Sequence, residues 1–208
     1  MYIISFIVLI KAIKHYKYSY PINLFTWVLI LSVIDNFIYI IIVIILKNPS
    51  LFFEIIKYSQ SFYQSVEYSV VCFFFVKIIN QNIYTKILKL IVLIIAVIAF
   101  IFAINGKNLF ETNILVFVIL EIIIVNISSS IIFIGEINES NIDIPRSNVI
   151  LAKGLFVFIN FTAPYFLISN FLGENYNYLT KSLNFINDIG YIIFFISLYK
   201  SYKCYQSS

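Results

Sequence analysis

Histidine occurs once in this 208-residue chain, cysteine twice, and only 12% of the residues are charged. With His15 alone, the chain holds no histidine pair for haem, no HExxH pattern and no protein-only zinc site. Cys72 and Cys204 lie far apart and make neither a disulfide framework nor a metal motif. Five glycines and four prolines supply no Gly-rich phosphate loop, no nucleophile elbow and no linker. No lysine stands mid-span in the last hydrophobic segment, which argues against a retinal Schiff base. No metal and no cofactor are expected. The charge is also too scarce for a soluble domain, where about a quarter of residues are charged. The net charge of +4 does not indicate nucleic-acid binding, because the basic residues sit in loops where membrane topology uses them.

What fills the chain is apolar. Hydrophobic residues make up 62% and aromatics 19%, and the mean hydropathy is +0.97. No soluble core of this length buries so much apolar side chain, so the expected solvent is lipid. The expected fold is all-α: a polytopic transmembrane helix bundle forming one domain over residues 1–208. Seven spans are expected, at about 1–17, 24–46, 58–79, 87–104, 109–134, 148–172 and 179–199. Met1–Ile13 is short for a ~30 Å hydrocarbon core, so six spans result if it lies at the interface. As a first helix it extends to about Lys17, and Lys11, Lys14 and Lys17 would snorkel to the interface. Pro164 predicts a kink in the sixth span, and the apolar fourth span is expected to face lipid.

Lysine and arginine set the orientation. With seven spans, Lys11, Lys14, Lys17, Lys77, Lys86, Lys89, Arg146, Lys153, Lys200 and Lys203 fall on one side. Lys47, Lys57, Lys107 and Lys181 fall on the other. That bias puts the N-terminus outside and the C-terminus in the cytoplasm, in a bacterial inner membrane.

Four of the spans each carry a carboxyl group at depth: Asp35, Glu67, Glu121 and Asp188. An ionisable group there is costly and is expected to face a bundle interior or a wet cavity. In the third span, Gln60, Gln64 and Glu67 fall within a narrow arc, with Tyr63 at its edge. The seventh carries Lys181, Asn184, Asp188 and Tyr191 at spacings of three and four, which make one stripe. Asp35 and Glu121 are expected near the midplane. One reading joins Asp35, Gln60, Tyr63, Gln64, Glu67, Glu121, Asn184, Asp188 and Tyr191 into an outward-opening pocket floored by carboxyls. It would suit an amine, a cation or protons. The other reading makes the acids structural, either protonated or hydrogen-bonded to Asn36, Asn126, Asn160 and tyrosines across helices.

Tyr63-x-x-x-Glu67-Tyr68 with Phe73-Phe74-Phe75 resembles a family of short bacterial seven-helix membrane proteins of unassigned function. Glu121, Pro145 entering the sixth span, and Asn184 with Asp188 carry the same resemblance. It implies a multi-pass protein that works with a sensor-kinase type of partner. The leading expectation is a sensory or signalling membrane component whose partners are the bilayer and a membrane or cytoplasmic signalling protein. The alternatives are a small enzyme acting on a lipid headgroup, with carboxyls as acid and base, and an ion or proton carrier. The residues favour a protein that is not an enzyme.

The basic bias yields a topology prediction. A reporter fused at the C-terminus should read cytoplasmic. A periplasmic reading would overturn both the orientation and the side on which the pocket opens.

Overall fold

Long apolar runs without internal glycine or proline have one economical way to satisfy their backbone, which is the helix. The computed structural model describes residues 2–15, 21–45, 47, 66–79, 86–87, 90–91, 94, 110–137, 144–172 and 177–204, and every regular element among them is helical. The helices are α1 (Tyr2–His15), α2 (Phe25–Tyr39), α3 (residues 66–78), α4 (Phe110–Ile137), α5 (Arg146–Leu172) and α6 (Asn177–Cys204). Residues 86, 87, 90, 91 and 94 are helical as well. There Ile87, Leu90 and Ile94 are exposed, while Ile91 packs on the core.

Local chemistry explains several of the ends. A 3-10 turn, Ile22–Leu24, leads into α2, with the Leu24 N–H donating to the Pro21 carbonyl at 3.1 Å. After Tyr39 the helix widens into a π-helical turn, Ile40–Ile45. That run is wholly β-branched, and such side chains crowd the preceding turn of an α-helix. Lys47 follows with φ 51°, the left-handed conformation that commonly closes a helix. The sixth hydrophobic segment begins at Arg146 rather than 148, because the Pro145 carbonyl accepts the N–H groups of Asn148 (2.8 Å) and Val149 (3.3 Å). The last helix runs on to Cys204, with Ser201 and Tyr202 buried in its final turn. Helix α5 continues through Pro164 without interruption.

Helices α5 and α6 pack antiparallel and very closely. A Cβ on Gly154 would overlap Ser197 Cβ and Oγ. A Cβ on Gly190 would come within 3.0 Å of Phe161 Cβ and 3.1 Å of Thr162 Cγ2. Helix α4 lies antiparallel along α5, with Ser129 Oγ donating to the Ala152 carbonyl at 3.4 Å. The N-terminal end of α2 is tied to the C-terminal end of α6. Tyr202 donates its phenol proton to the Ile22 carbonyl at 3.1 Å, so Thr26, at 3.1 Å, donates to the phenol oxygen.

Helix α3 is largely buried. Along it only Phe73 and Lys77 are exposed, and helices apolar on all sides are buried ones. Its Phe74 packs edge-on against Phe25 (5.4 Å between centroids), Phe25 meets Phe194 (5.9 Å), and Phe194 meets Phe158 (5.1 Å). Phe158 in turn meets Tyr191 at 4.8 Å. This aromatic chain joins α3, α2, α6 and α5.

These contacts gather the basic side chains at one end. Lys11 lies over the Tyr199 ring at 5.8 Å and Lys153 over the Phe133 ring at 6.0 Å. Lys14, Lys77, Arg146, Lys200 and Lys203 are exposed on the same ends of their helices. Lys17 and Lys89 lie outside the described residues. Among the described residues one helical stretch, Arg146–Tyr165, is long and apolar enough to cross a membrane; Ile22–Ile34 and Ile119–Ile134 are shorter apolar helical stretches.

The α5–α6 contact gives the second prediction. Gly154→Ala should destabilise the purified protein by about 1–3 kcal/mol through overpacking. Ser197→Gly in the same chain should recover part of the loss. Unfolding midpoints measure both, and an unchanged midpoint in Gly154→Ala would show that the helices do not meet there.

Candidate functional site

Glu67 stands on the buried helix α3 and is only 9% exposed. Tyr68, at 1%, and Cys72, fully buried one turn later, follow it along the same helix. Their side chains interact with each other. A carboxyl group carried here is removed from bulk solvent by the fold itself.

Glu121 is brought to it by α4. The depth of Glu121 can be read from helix register. Asn160 Nδ2 donates to Asn126 Oδ1 at 3.0 Å across the α4–α5 seam. Five residues back along α4 and five forward along α5 make Glu121 level with Tyr165. On the other side of α5, Gly190 packs on Phe161. Three residues back and three forward make Asn187 level with Pro164. Glu121, Asn187 and the Pro164–Tyr165 turn therefore share one depth. Pro164 has no N–H, so the Asn160 carbonyl lacks its usual partner one turn on.

The electrostatics agree with the register. The Glu67 and Glu121 carboxyls act on each other, and Glu121 acts on Tyr68 and Cys72. Tyr191 feels Glu67, Glu121, Asp188 and Tyr165. Helical side chains lean toward the N-terminus, which carries the Tyr191 phenol up to the Asn187 level. Among the described residues, no cationic side chain acts on this set. Two acceptor oxygens at this depth, Glu121 Oε1 and Asn187 Oδ1, are buried without a hydrogen-bond partner. No group of three or more His, Cys, Asp or Glu side chains suited to a metal occurs among the described residues.

The candidate residues divide on placement. Glu67, Glu121 and Tyr191 are brought together. Asn184 and Asp188 are not turned inward as expected: both side chains are exposed. The inward face of α6 is set by Gly190, which must face α5, and Asn187, 8% exposed, is buried one turn before it. The spacing of Asn187, Tyr191, Phe194 and Leu198 is as helical as that of Asn184, Asp188 and Tyr191, and only the close-packed glycine separates the two stripes. Asp35 lies on α2, with its side chain outside the described residues; Gln60, Tyr63 and Gln64 lie wholly outside them. Asn126 and Asn160, expected as partners of the acids, are engaged with each other and with the Ile122 (2.8 Å) and Phe156 (2.7 Å) carbonyls of their own helices.

Comparison with known proteins finds no matching family model, no similar curated protein and no similar solved structure.

The register rests on one amide pair, which yields the third prediction. A double-mutant cycle of Asn126→Ala and Asn160→Ala should give a favourable coupling of about 0.6 kcal/mol, the size usual for interhelical hydrogen bonds in membranes. Zero coupling in unfolding experiments would remove the basis for placing Glu121 beside Tyr165.

Proposed function

We propose that the chain is a multi-pass membrane protein, a sensory or signalling component whose responsive element is the Glu67–Glu121 carboxyl pair. The membrane part of this reading is supported by the bundle's outer surface. Phe6, Ile10, Trp27, Phe37, Ile123 and Ile196, from four different helices, are all large, apolar and exposed. Soluble monomers rarely leave contiguous apolar surface of that kind uncovered. The shared end of the basic side chains supports a cytoplasmic C-terminus, with that end facing the cytoplasm.

The pair's position supports a role near the opposite, outer face. Pro164 is 18 residues from Arg146, about 27 Å at helical rise. The acids thus lie near the outer end of the apolar stretch rather than at its midplane. The observation that carries the functional reading is the pairing itself. Two carboxyls from different helices act on each other in the interior, and among the described residues no cationic side chain acts on them. A change in their charge alters the force between α3 and α4. Helix α3 is held on nearly every side, so its response passes through Phe74 and Phe25 to Phe194 and α6. Lys77, Lys200 and Lys203 then present the shift to a cytoplasmic partner at the basic end. The buried Glu121 oxygen suits a small ion better than a lipid headgroup, which weakens the enzyme reading.

Glu67→Gln keeps shape and hydrogen bonding but removes titration, whereas Glu67→Leu removes both. In cells lacking the gene, Glu67→Gln should accumulate normally in the membrane and fail to restore the deletion phenotype. Full rescue by Glu67→Gln, with Glu67→Leu merely unstable, would make the residue structural and end the signalling reading.

A further inference from the structure

The Asn126–Asn160 pair holds the α4–α5 seam and still leaves hydrogen-bonding groups unused on the outside of the bundle. Each amide is oriented by its own helix. Asn126 Nδ2 donates to the Ile122 carbonyl at 2.8 Å, and Asn160 Nδ2 donates to the Phe156 carbonyl at 2.7 Å. Only an N–H can answer a carbonyl, so neither amide can be turned over. A carboxamide has two N–H donors and one carbonyl acceptor. Asn160 gives its second N–H to Asn126 Oδ1 at 3.0 Å. That leaves one N–H of Asn126 and the side-chain oxygen of Asn160 with no partner among the described residues.

Asn160 is exposed and Asn126 half-buried. The surface around them is apolar: Ile123 and Ile127 on α4 are each 47% exposed, and Phe161 on α5 is 37% exposed. Asn160 lies about 21 Å along α5 from Arg146 at helical rise, inside the apolar stretch Arg146–Tyr165 and not at its end. Hydrocarbon answers neither an N–H nor a carbonyl, so polar groups on a lipid-facing surface draw helices together. A spare donor beside a spare acceptor is what a two-fold contact needs, because the same patch of each copy meets the other.

We infer that the outer α4–α5 face is the contact surface of a homodimer in the membrane, the spare Asn126 N–H of each protomer donating to the partner's Asn160 side-chain oxygen. This rests on the membrane part of the proposed function and is independent of the carboxyl pair. A second copy answers both spare groups on both protomers at once, and no amide N–H of the four side chains stays unused. Ile123, Ile127 and Phe161 of each protomer close over the amides and exclude lipid. Lys153, two turns nearer the basic end, stays over its own Phe133 ring and reaches toward cytoplasmic water.

The test uses the full chain, tagged at its C-terminus with a donor or an acceptor dye and reconstituted in liposomes. Förster transfer is followed as added lipid dilutes the protein. The wild type should associate reversibly and bleach in at most two steps per spot; monomers at every dilution, or more than two steps, would overturn the dimer. Asn126→Leu and Asn160→Leu each remove both reciprocal bonds and should weaken self-association about eightfold. The first variant keeps the acceptor and the second keeps the donor. Mixed together, they should pair about threefold more tightly than either pairs with itself, a preference that mere loosening of the fold does not produce. Unaltered association in both variants, or no preference in the mixture, would overturn the proposal. A second measurement leaves both amides in place. In a Cys204→Ser chain, Ile127→Cys should form a disulfide between protomers under iodine oxidation, and Phe6→Cys on α1 should not; equal cross-linking at the two positions would count against this face. Alkaline carbonate washing separates the two readings. A chain that stays in the membrane but fails these tests loses only the homodimer, whereas one that washes off loses the membrane reading and the dimer with it.

Discussion

The close approach of α5 and α6 is the constraint on which the remaining structure depends. Gly154 lets the Ser197 side chain press against the α5 backbone, and Gly190 receives Phe161 and Thr162 one end further along. Two contacts about two turns apart near the middle of the helix pair set both their separation and their rotation. Helix α6 is thereby forced to turn Asn187, Tyr191, Phe194 and Leu198 inward and to leave Asp188 outside. A larger residue at either glycine would change the face that α6 presents. In lipid, where helices gain little from burying apolar surface, such small-residue contacts are a main source of association.

Polar groups in the bundle fall into two classes. Most are answered by their own or a neighbouring helix: Thr162 by Phe158, Ser201 by Ser197, Ser129 by Ala152, Asn160 by Asn126. Ser129 and Asn160 hold the α4–α5 seam, while Thr162 and Ser201 return their hydroxyl protons to carbonyls of their own helices. Glu121 and Asn187 belong to the second class, in which a buried oxygen is left without a donor. Asn148 Oδ1, buried in the first turn of α5, belongs to it too, so the unpaired polarity is spread along the bundle rather than gathered at one depth. Buried polar networks are high-stakes for this reason: a half-satisfied one is costly unless something else completes it.

The aromatic chain explains how the polar site connects with the far end. Tyr191 feels the acids and packs on Phe158, and Phe194, Phe25 and Phe74 carry the packing toward the basic end. Rings in edge and tilted contact transmit displacement because interiors are dense and resist compression. Tyr202, bonded to Ile22 and Thr26, fixes α6 against α2 at that end. Helix α3 lies between these supports with few directions in which to move.

The helical class followed from composition and apolar run length alone, because long apolar segments poor in glycine and proline can satisfy their backbone internally only as helices. The placing of a carboxyl on a buried helix was also legible at Glu67, where apolar neighbours fill the turns that follow it. What the sequence left open was rotation. The stripe through Asn184 and Asp188 and the stripe through Asn187 and Leu198 share Tyr191 and have equal periodicity. One-dimensional spacing cannot tell which of them faces in. Only the approach of Gly190 to α5 decided it, by forbidding any other face at that distance. The depth of Glu121 was expected near the midplane, but the length of α4 fits several registers. The Asn126–Asn160 bond chose one of them and set Glu121 level with Tyr165.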